Sequence, residues 1–216
     1  MTNFERLRVT EVFHSIQGES ESVGVPTVFV RLTGCPLRCG YCDTAHAFKG
    51  GEWMTVAEIG NKVAAYQIAY VTVTGGEPLA QPGCLPLLVR LCDDGYRVSL
   101  ETSGALDISG VDHRVVKVMD LKTPGSGEVD RNRYGNIDHL RSQDQVKFVI
   151  CDERDYQWSK DQVQRYELAK RCGVLFSPME DTLPAAWLAE WILRDRLPVR
   201  FQIQLHKYLW GNVIGR

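Results

Sequence analysis

The sequence predicts an α/β fold in which short strands alternate with helices and pair as a parallel sheet, either doubly wound or rolled into a whole or partial (β/α) barrel. Three observations predict it. Short β-branched runs alternate with helix-length amphipathic segments. No linker, internal repeat or low-complexity stretch divides the 216 residues, so 1–216 is expected to form a single domain. Unusual polar motifs recur where the strands end. This last pattern favours the barrel, and in barrels and open α/β sheets alike the carboxyl ends of the strands converge on the active site.

The elements follow in order. A first strand at 28–32 runs into Gly34-Cys35, and a helix over 56–69 leads to a strand at 70–74 that ends in Thr74-Gly75-Gly76-Glu77-Pro78. A helix over 85–93, with Gly95 placed to cap it, precedes a strand at 97–101 and Glu101-Thr102-Ser103-Gly104. The strand at 115–121 carries Asp120-Leu121-Lys122; the strand at 145–150 is followed by a helix over 154–171, with Gly173 as its expected cap. A strand at 174–177 opens into Ser177-Pro178-Met179-Glu180, and a helix over 184–194 precedes a last strand at 201–205 with Gln204, His206 and Lys207 at its end.

Composition excludes several classes. A net charge of −2 gives neither a basic footprint for nucleic acid nor a polybasic membrane patch. No apolar run approaches the roughly 20 residues of a membrane span, and residues 1–8 lack a signal-peptide core. Seven cysteines, an odd number, imply reduced thiols and a cytoplasmic location rather than a disulfide framework.

Three of those cysteines stand in one loop, Cys35-Pro-Leu-Arg-Cys39-Gly-Tyr-Cys42. Three thiolates fall one short of a saturated tetrahedral site; a cubane iron–sulfur cluster held by three cysteines keeps one iron open for a ligand that is not protein. His46 offers an alternative, completing a zinc site with the three cysteines. Cys84, Cys92, Cys151 and Cys172 lie in helix or strand patterns and are expected to pack as small hydrophobes. The adjacent glycines Gly75 and Gly76 let a ligand approach the backbone, or simply make a turn.

Together, CxxxCxxC and the downstream Gly75-Gly76-Glu77-Pro78 resemble the radical S-adenosylmethionine superfamily. The resemblance implies a [4Fe-4S] cluster on Cys35, Cys39 and Cys42, S-adenosylmethionine on the open iron, Gly76 and Glu77 on the cofactor's amino group, and Tyr41 beside its adenine. A narrower likeness covers nearly the whole chain. Phe13-His-Ser-Ile16-Gln17-Gly18-Glu19, the run from Gly24 to Cys35, Cys42-Asp43-Thr44 and His206-Lys207-Tyr208 are similar to motifs of the 7-carboxy-7-deazaguanine synthases of queuosine and 7-deazapurine biosynthesis. That resemblance implies a partial (β/α) TIM-like barrel of about six parallel strands, of the radical S-adenosylmethionine type. It implies ring contraction of 6-carboxy-5,6,7,8-tetrahydropterin with loss of ammonia, a Mg2+ ion, a flavodoxin or ferredoxin as electron donor, and a homodimer.

The same resemblance distributes roles. Ile16, Gln17, Gly18 and Glu19 would hold the pterin, with Arg31, Thr74, Gln204 and His206 around it. Ser103, Asp120, Leu121, Lys122 and the stretch Ser177, Pro178, Met179 and Glu180 would contact S-adenosylmethionine, although Asp120-Leu121 and Ser177 replace residues usual in the family. Thr44 would place its hydroxyl on Mg2+. Each position has a plainer alternative: an exposed turn for Gln17 and Glu19, an outward charge on an edge strand for Arg31, a helix cap for Asp43 or Thr44, and a buried histidine bonded to backbone for His206. A glycyl-radical activating enzyme and a non-catalytic metal-cluster module are the rival functions.

Overall fold

The computed structural model describes residues 6–211 and 213–215. Residues 1–5, part of the N-terminal stretch read for a signal core, and residues 212 and 216 of the C-terminal tail lie outside the described residues. Among those described, no helix is long and apolar enough to cross a membrane.

Among the described residues, one nine-stranded sheet organises the fold. Its strands are β1 (Arg6–Ile16), β2 (Pro26–Leu32), β3 (Glu52–Thr55), β4 (Tyr70–Gly75), β5 (Arg97–Thr102), β6 (Val116–Asp120), β7 (Gln145–Ile150), β8 (Gly173–Pro178) and β9 (Arg200–Phe201), in the order β3-β1-β2-β4-β5-β6-β7-β8-β9. From β2 onward every neighbouring pair is parallel, which gives six full strands and a two-residue seventh; β1 joins β2 and β3 antiparallel. The end strands β3 and β9 do not pair, so the sheet is an open barrel.

Strand alternation decides which side does what. Val71, Val73, Val98, Leu100, Val146, Phe148, Val174 and Phe176 point outward into a continuous core with Ile59 and Val63 of α1 (Val56–Ala64), Leu87, Leu88 and Leu91 of α2 (Cys84–Asp93), Tyr156 and Val163 of α3 (Glu153–Arg165), and Leu188 and Ile192 of α5 (Ala185–Asp195). The inward positions mix a polar set, Thr72, Thr74, Ser99, Glu101, Asp120 and Lys147, with the apolar Phe29, Val118 and Val149. A complete barrel fills its interior with branched aliphatic side chains; this one keeps a hollow lined by charged, polar and apolar groups together. Helix starts follow local chemistry. Thr55 and Glu58 form a reciprocal capping box on α1, and the Asp152 side chain accepts from the Asp155 amide at 2.8 Å to start α3.

Several expectations need correction. The helix expected over 56–69 ends at Ala64. The one expected over 154–171 is broken: Glu167 adopts a left-handed conformation (φ 50°) between α3 and the short α4 (Leu168–Arg171). Gly95 caps α2 with φ 89° as expected, whereas Gly173 opens β8 instead of capping a helix. The strand expected over 201–205 survives only as β9. Beyond Phe201 the Gln202 amide donates to Phe176 O, and the chain then turns so that the Leu205 amide reaches Gly18 O at 3.0 Å and starts α6 (Leu205–Trp210). Cys84 and Cys172 are buried, but Cys92 and Cys151 are only half-buried. All seven cysteines are free thiols.

Candidate active site

The carboxyl ends of the parallel strands, the loop after β2 and α6 surround an open-mouthed hollow.

Cys35, Cys39 and Cys42 all line this hollow. Their loop is pinned at both ends: the Gly34 amide donates to Ala47 O at 2.8 Å and the Gly40 amide to Ser126 O at 3.0 Å. Burial pushes the Cys35 and Cys39 thiols above their ordinary value, so metal coordination, not the local field, has to stabilise the thiolates. His46 points elsewhere, with Nε2 3.4 Å from Glu11 Oε1, which removes it as a fourth zinc ligand.

The Gly75-Gly76 turn is pressed against the cysteine loop. Gly75 has φ 148°, and a Cβ on Gly76 would lie 2.3 Å from Gly34 O and 2.8 Å from Cys35 Cβ. Only glycine lets this backbone reach the cluster loop. Glu77 faces the other way: fully buried, it accepts from the amides of Leu79 (3.0 Å) and Ser103 (2.7 Å) and from the hydroxyls of Thr102 and Ser103. Glu77 therefore does not line the hollow; it holds Ser103, which does.

Strand alternation likewise splits the contiguous motifs. Asp120 and Lys122 line the hollow while Leu121 between them joins the outer core. Of the stretch from Ser177 to Glu180, Met179 reaches the hollow; Ser177 is buried behind it, and Pro178 and Glu180 line a separate cleft beside α6. Asn132, which the sequence did not single out, clamps Lys122 by accepting from its amide at 2.9 Å and donating to its carbonyl at 2.8 Å.

The opposite half of the hollow gathers Phe13, Ile16, Gln17, Gly18, Glu19, Phe29, Arg31, Thr74, Glu101, Lys147, Gln204 and His206. Gln17 and Glu19 are 3% and 6% exposed, not an exposed turn. Gln17 Nε2 donates to Thr72 Oγ1 at 3.1 Å, and its Oε1 accepts from the Glu19 amide at 3.2 Å. Glu19 Oε2 pairs with Lys147 Nζ at 2.7 Å, whereas Oε1 is buried and, among the described residues, without a hydrogen-bond partner; Asp120 Oδ1 is likewise buried and unpartnered among them. Arg31 lies on an interior strand, facing inward, 2.7 Å from Glu11 and over the Phe13 ring. Gly18 sits directly under His206, where a Cβ would come within 2.0 Å of Nδ1.

Electrostatics shape this half. Burial, reinforced by the Glu19 charge, pushes the Glu101 carboxyl above its usual range. Burial opposes the Lys147 charge, yet Glu19, Asp120 and Glu101 outweigh it and hold the ammonium well above its ordinary value. Burial pushes His206 below its own and so favours the neutral ring. Near the mouth, Thr44 occupies a cap position but makes no side-chain cap bond; its hydroxyl lies 3.7 Å from Cys42 Sγ and lines the hollow. The neighbouring Asp43 ties α6 down through Gln204 (3.2 Å) and Lys207 (3.3 Å).

The chain is similar to several known proteins. Residues 29–121 match the Radical SAM superfamily model. A 7-carboxy-7-deazaguanine synthase from Chlorobaculum tepidum is 44% identical, covering 95% of this chain and 94% of that protein. One from Koribacter versatilis is 40% identical, covering 94% and 97%. Among solved structures, QueE from Escherichia coli superimposes with a TM-score of 0.76 at 21% identity, over 93% of this chain and 95% of that one.

Proposed function

The chain belongs to the 7-carboxy-7-deazaguanine synthase family of radical S-adenosylmethionine enzymes, and from that membership we propose how its hollow serves the family's reaction. The activity is the radical ring contraction of 6-carboxy-5,6,7,8-tetrahydropterin, with loss of ammonia, to 7-carboxy-7-deazaguanine. When bound, a reduced [4Fe-4S] cluster and S-adenosylmethionine supply a hydrogen-abstracting carbon radical.

Cys35, Cys39 and Cys42 fit the cluster, since three thiols from one pinned loop line the hollow with the glycine turn packed against them. Gly76, Ser103, Lys122, Met179 and Tyr41 surround the place left for S-adenosylmethionine, with Lys122 as the cation for its carboxylate. The observation that carries the substrate assignment is the unpartnered Glu19 Oε1, buried beside Gln17 in the opposite half. A pterin's amino group and ring N–H lie side by side as donors, and a carboxylate accepts such a pair. Phe13 and Phe29, stacked with centroids 5.0 Å apart, supply an apolar wall for a flat ring.

Anaerobic reconstitution followed by incubation with the pterin, S-adenosylmethionine and a reductant should yield 7-carboxy-7-deazaguanine. Cleavage of S-adenosylmethionine that ignores the pterin and depends on a protein substrate would favour a glycyl-radical activating enzyme; no cleavage would favour a cluster module.

Magnesium fits the mouth of the site. A Thr44 hydroxyl free of capping duty is one oxygen ligand, and Mg2+ usually completes its octahedron with waters and a substrate carboxylate. Added Mg2+ should raise turnover, and Thr44→Ala should blunt the response about tenfold; an unchanged Mg2+ titration removes Thr44 from the site. Gly18 gives a second expectation. Gly18→Ala would displace His206 and the start of α6, lowering kcat/KM for the pterin by about 100-fold, since a displacement near 1 Å costs that much. The S-adenosylmethionine dissociation constant should stay put, and equal weakening of both ligands would contradict the assignment.

The seven free thiols support a reducing, cytoplasmic setting. A flavodoxin or ferredoxin is the donor class the chemistry calls for. The exposed apolar side chains of Tyr208, Leu209, Val213 and Ile214 support a homodimer that covers the C-terminal tail.

A further inference from the structure

Four charged side chains on the inner face alternate in sign from one half of the hollow to the other. Glu19 Oε2 lies 2.7 Å from Lys147 Nζ, Lys147 lies 3.5 Å from Asp120 Oδ2, and that same oxygen lies 3.1 Å from Lys122 Nζ. The side chains are only 8%, 13%, 14% and 11% exposed in that order, so solvent screens their interactions little. Each carboxylate commits one oxygen to the chain and leaves its other oxygen buried and unpartnered. Both ammonium groups compete for the single oxygen Asp120 Oδ2, and Lys147 holds the longer contact.

We propose that Lys147 is a positioning residue that couples the two ligand sites, transmitting occupancy of Glu19 by the pterin through Asp120 to Lys122 and the S-adenosylmethionine carboxylate. The proposal rests on the ligand assignment above. Two N–H donors bound at Glu19 draw on its charge and loosen its grip on Lys147. The ammonium then closes on Asp120, with only a fraction of an ångström to move. A better satisfied Asp120 holds Lys122 less tightly, and that ammonium becomes free to meet a ligand carboxylate. Binding linkage is reciprocal, so S-adenosylmethionine at Lys122 strengthens pterin binding by the same factor.

The test uses cluster-loaded protein left unreduced, so that nothing turns over. Equilibrium dialysis gives the S-adenosylmethionine dissociation constant with and without saturating 6-carboxytetrahydropterin. In the wild-type protein the pterin should tighten S-adenosylmethionine binding by about fivefold or more, the lower end of ordinary coupling between sites. Lys147→Met should bring the ratio to about 1, and Lys147→Arg should restore part of it. Asp120→Asn, which cuts the chain at the next link and leaves the Glu19–Lys147 pair in place, should also give about 1, and it decides the matter if Lys147→Met does not fold. A folded Lys147→Met protein that keeps the wild-type ratio overturns the proposal, as does a ratio of 1 in wild-type protein that binds both ligands. Wild-type protein that binds S-adenosylmethionine but never the pterin overturns the functional assignment itself, a result distinguishable from either.

Discussion

Replacing Cys39 by alanine is expected to give a folded, colourless protein that holds less than one iron where the wild type holds about four, and that forms no 5′-deoxyadenosine under reducing conditions. Three thiolates each fix one iron, and with one thiolate gone the cluster has two anchors and is lost to solvent or chelators. Cys39 is the most informative of the three because its side chain carries the least structure. Cys35 Sγ accepts from the Leu37 amide at 3.4 Å and its Cβ lies against the Gly76 turn, while Cys42 Sγ touches Thr44. Cys39 is half-buried in a loop pinned by the neighbouring Gly40 amide, which a methyl side chain leaves alone. Thermal unfolding and far-UV circular dichroism of the apo-proteins should therefore coincide. Iron content and visible absorbance measure the chemical loss separately from any loss of fold. A Cys39→Ala protein that stays brown and still cleaves S-adenosylmethionine would move the cluster off this loop.

The parallel half of the fold was legible because its strands carry an alternation set by function: Val71-Thr72-Val73-Thr74 puts valines against the helices and threonines into the hollow. β1 was not legible. Its register shifts between Val9 and Glu11, so Leu7 and Val9 join the outer core whereas Phe13, of the same parity, lines the hollow. β3 is four residues long, too short to show a period. The cysteines and glycines announced themselves by spacing, but contiguous motifs overstate a site: Leu121 and Glu77 follow the pleat or the turn away from the hollow, whatever their neighbours do. Lys147 and Glu101 were missed for the opposite reason. Lys147 stands 128 residues from the Glu19 it pairs with, and only the sheet order joins them. The available signal was a charged residue inside a parallel strand, an element normally covered on both faces.

The second large effect falls on the substrate alone. Glu19→Gln should lower kcat/KM for the pterin by about 100-fold or more while leaving S-adenosylmethionine binding no weaker than in the wild type. The substitution keeps the side chain's shape and changes only charge and donor pattern. The carboxylate offers four lone-pair sites: Oε2 serves Lys147 at 2.7 Å and Oε1 is left for the ligand. A glutamine has one carbonyl and one amide for the same two duties. If the carbonyl faces Lys147, the NH2 meets the pterin's own N–H donors; if it faces the pterin, the NH2 meets a buried ammonium. Both orientations set donor against donor. A lost hydrogen bond to a charged group costs about 1.5–3 kcal/mol, roughly 10- to 150-fold, and here two bonds to one charge are affected. Lys147, deprived of one counter-charge, has Asp120 at 3.5 Å to turn to, which relieves Lys122 and leaves the cofactor half intact. Reductive cleavage of S-adenosylmethionine without pterin should thus persist in Glu19→Gln at the wild-type rate, where Cys39→Ala abolishes it. An unchanged pterin KM in a folded Glu19→Gln protein would take Glu19 out of the substrate site; loss of S-adenosylmethionine binding would mean that the two halves of the hollow are not divided between Glu19 and Lys122.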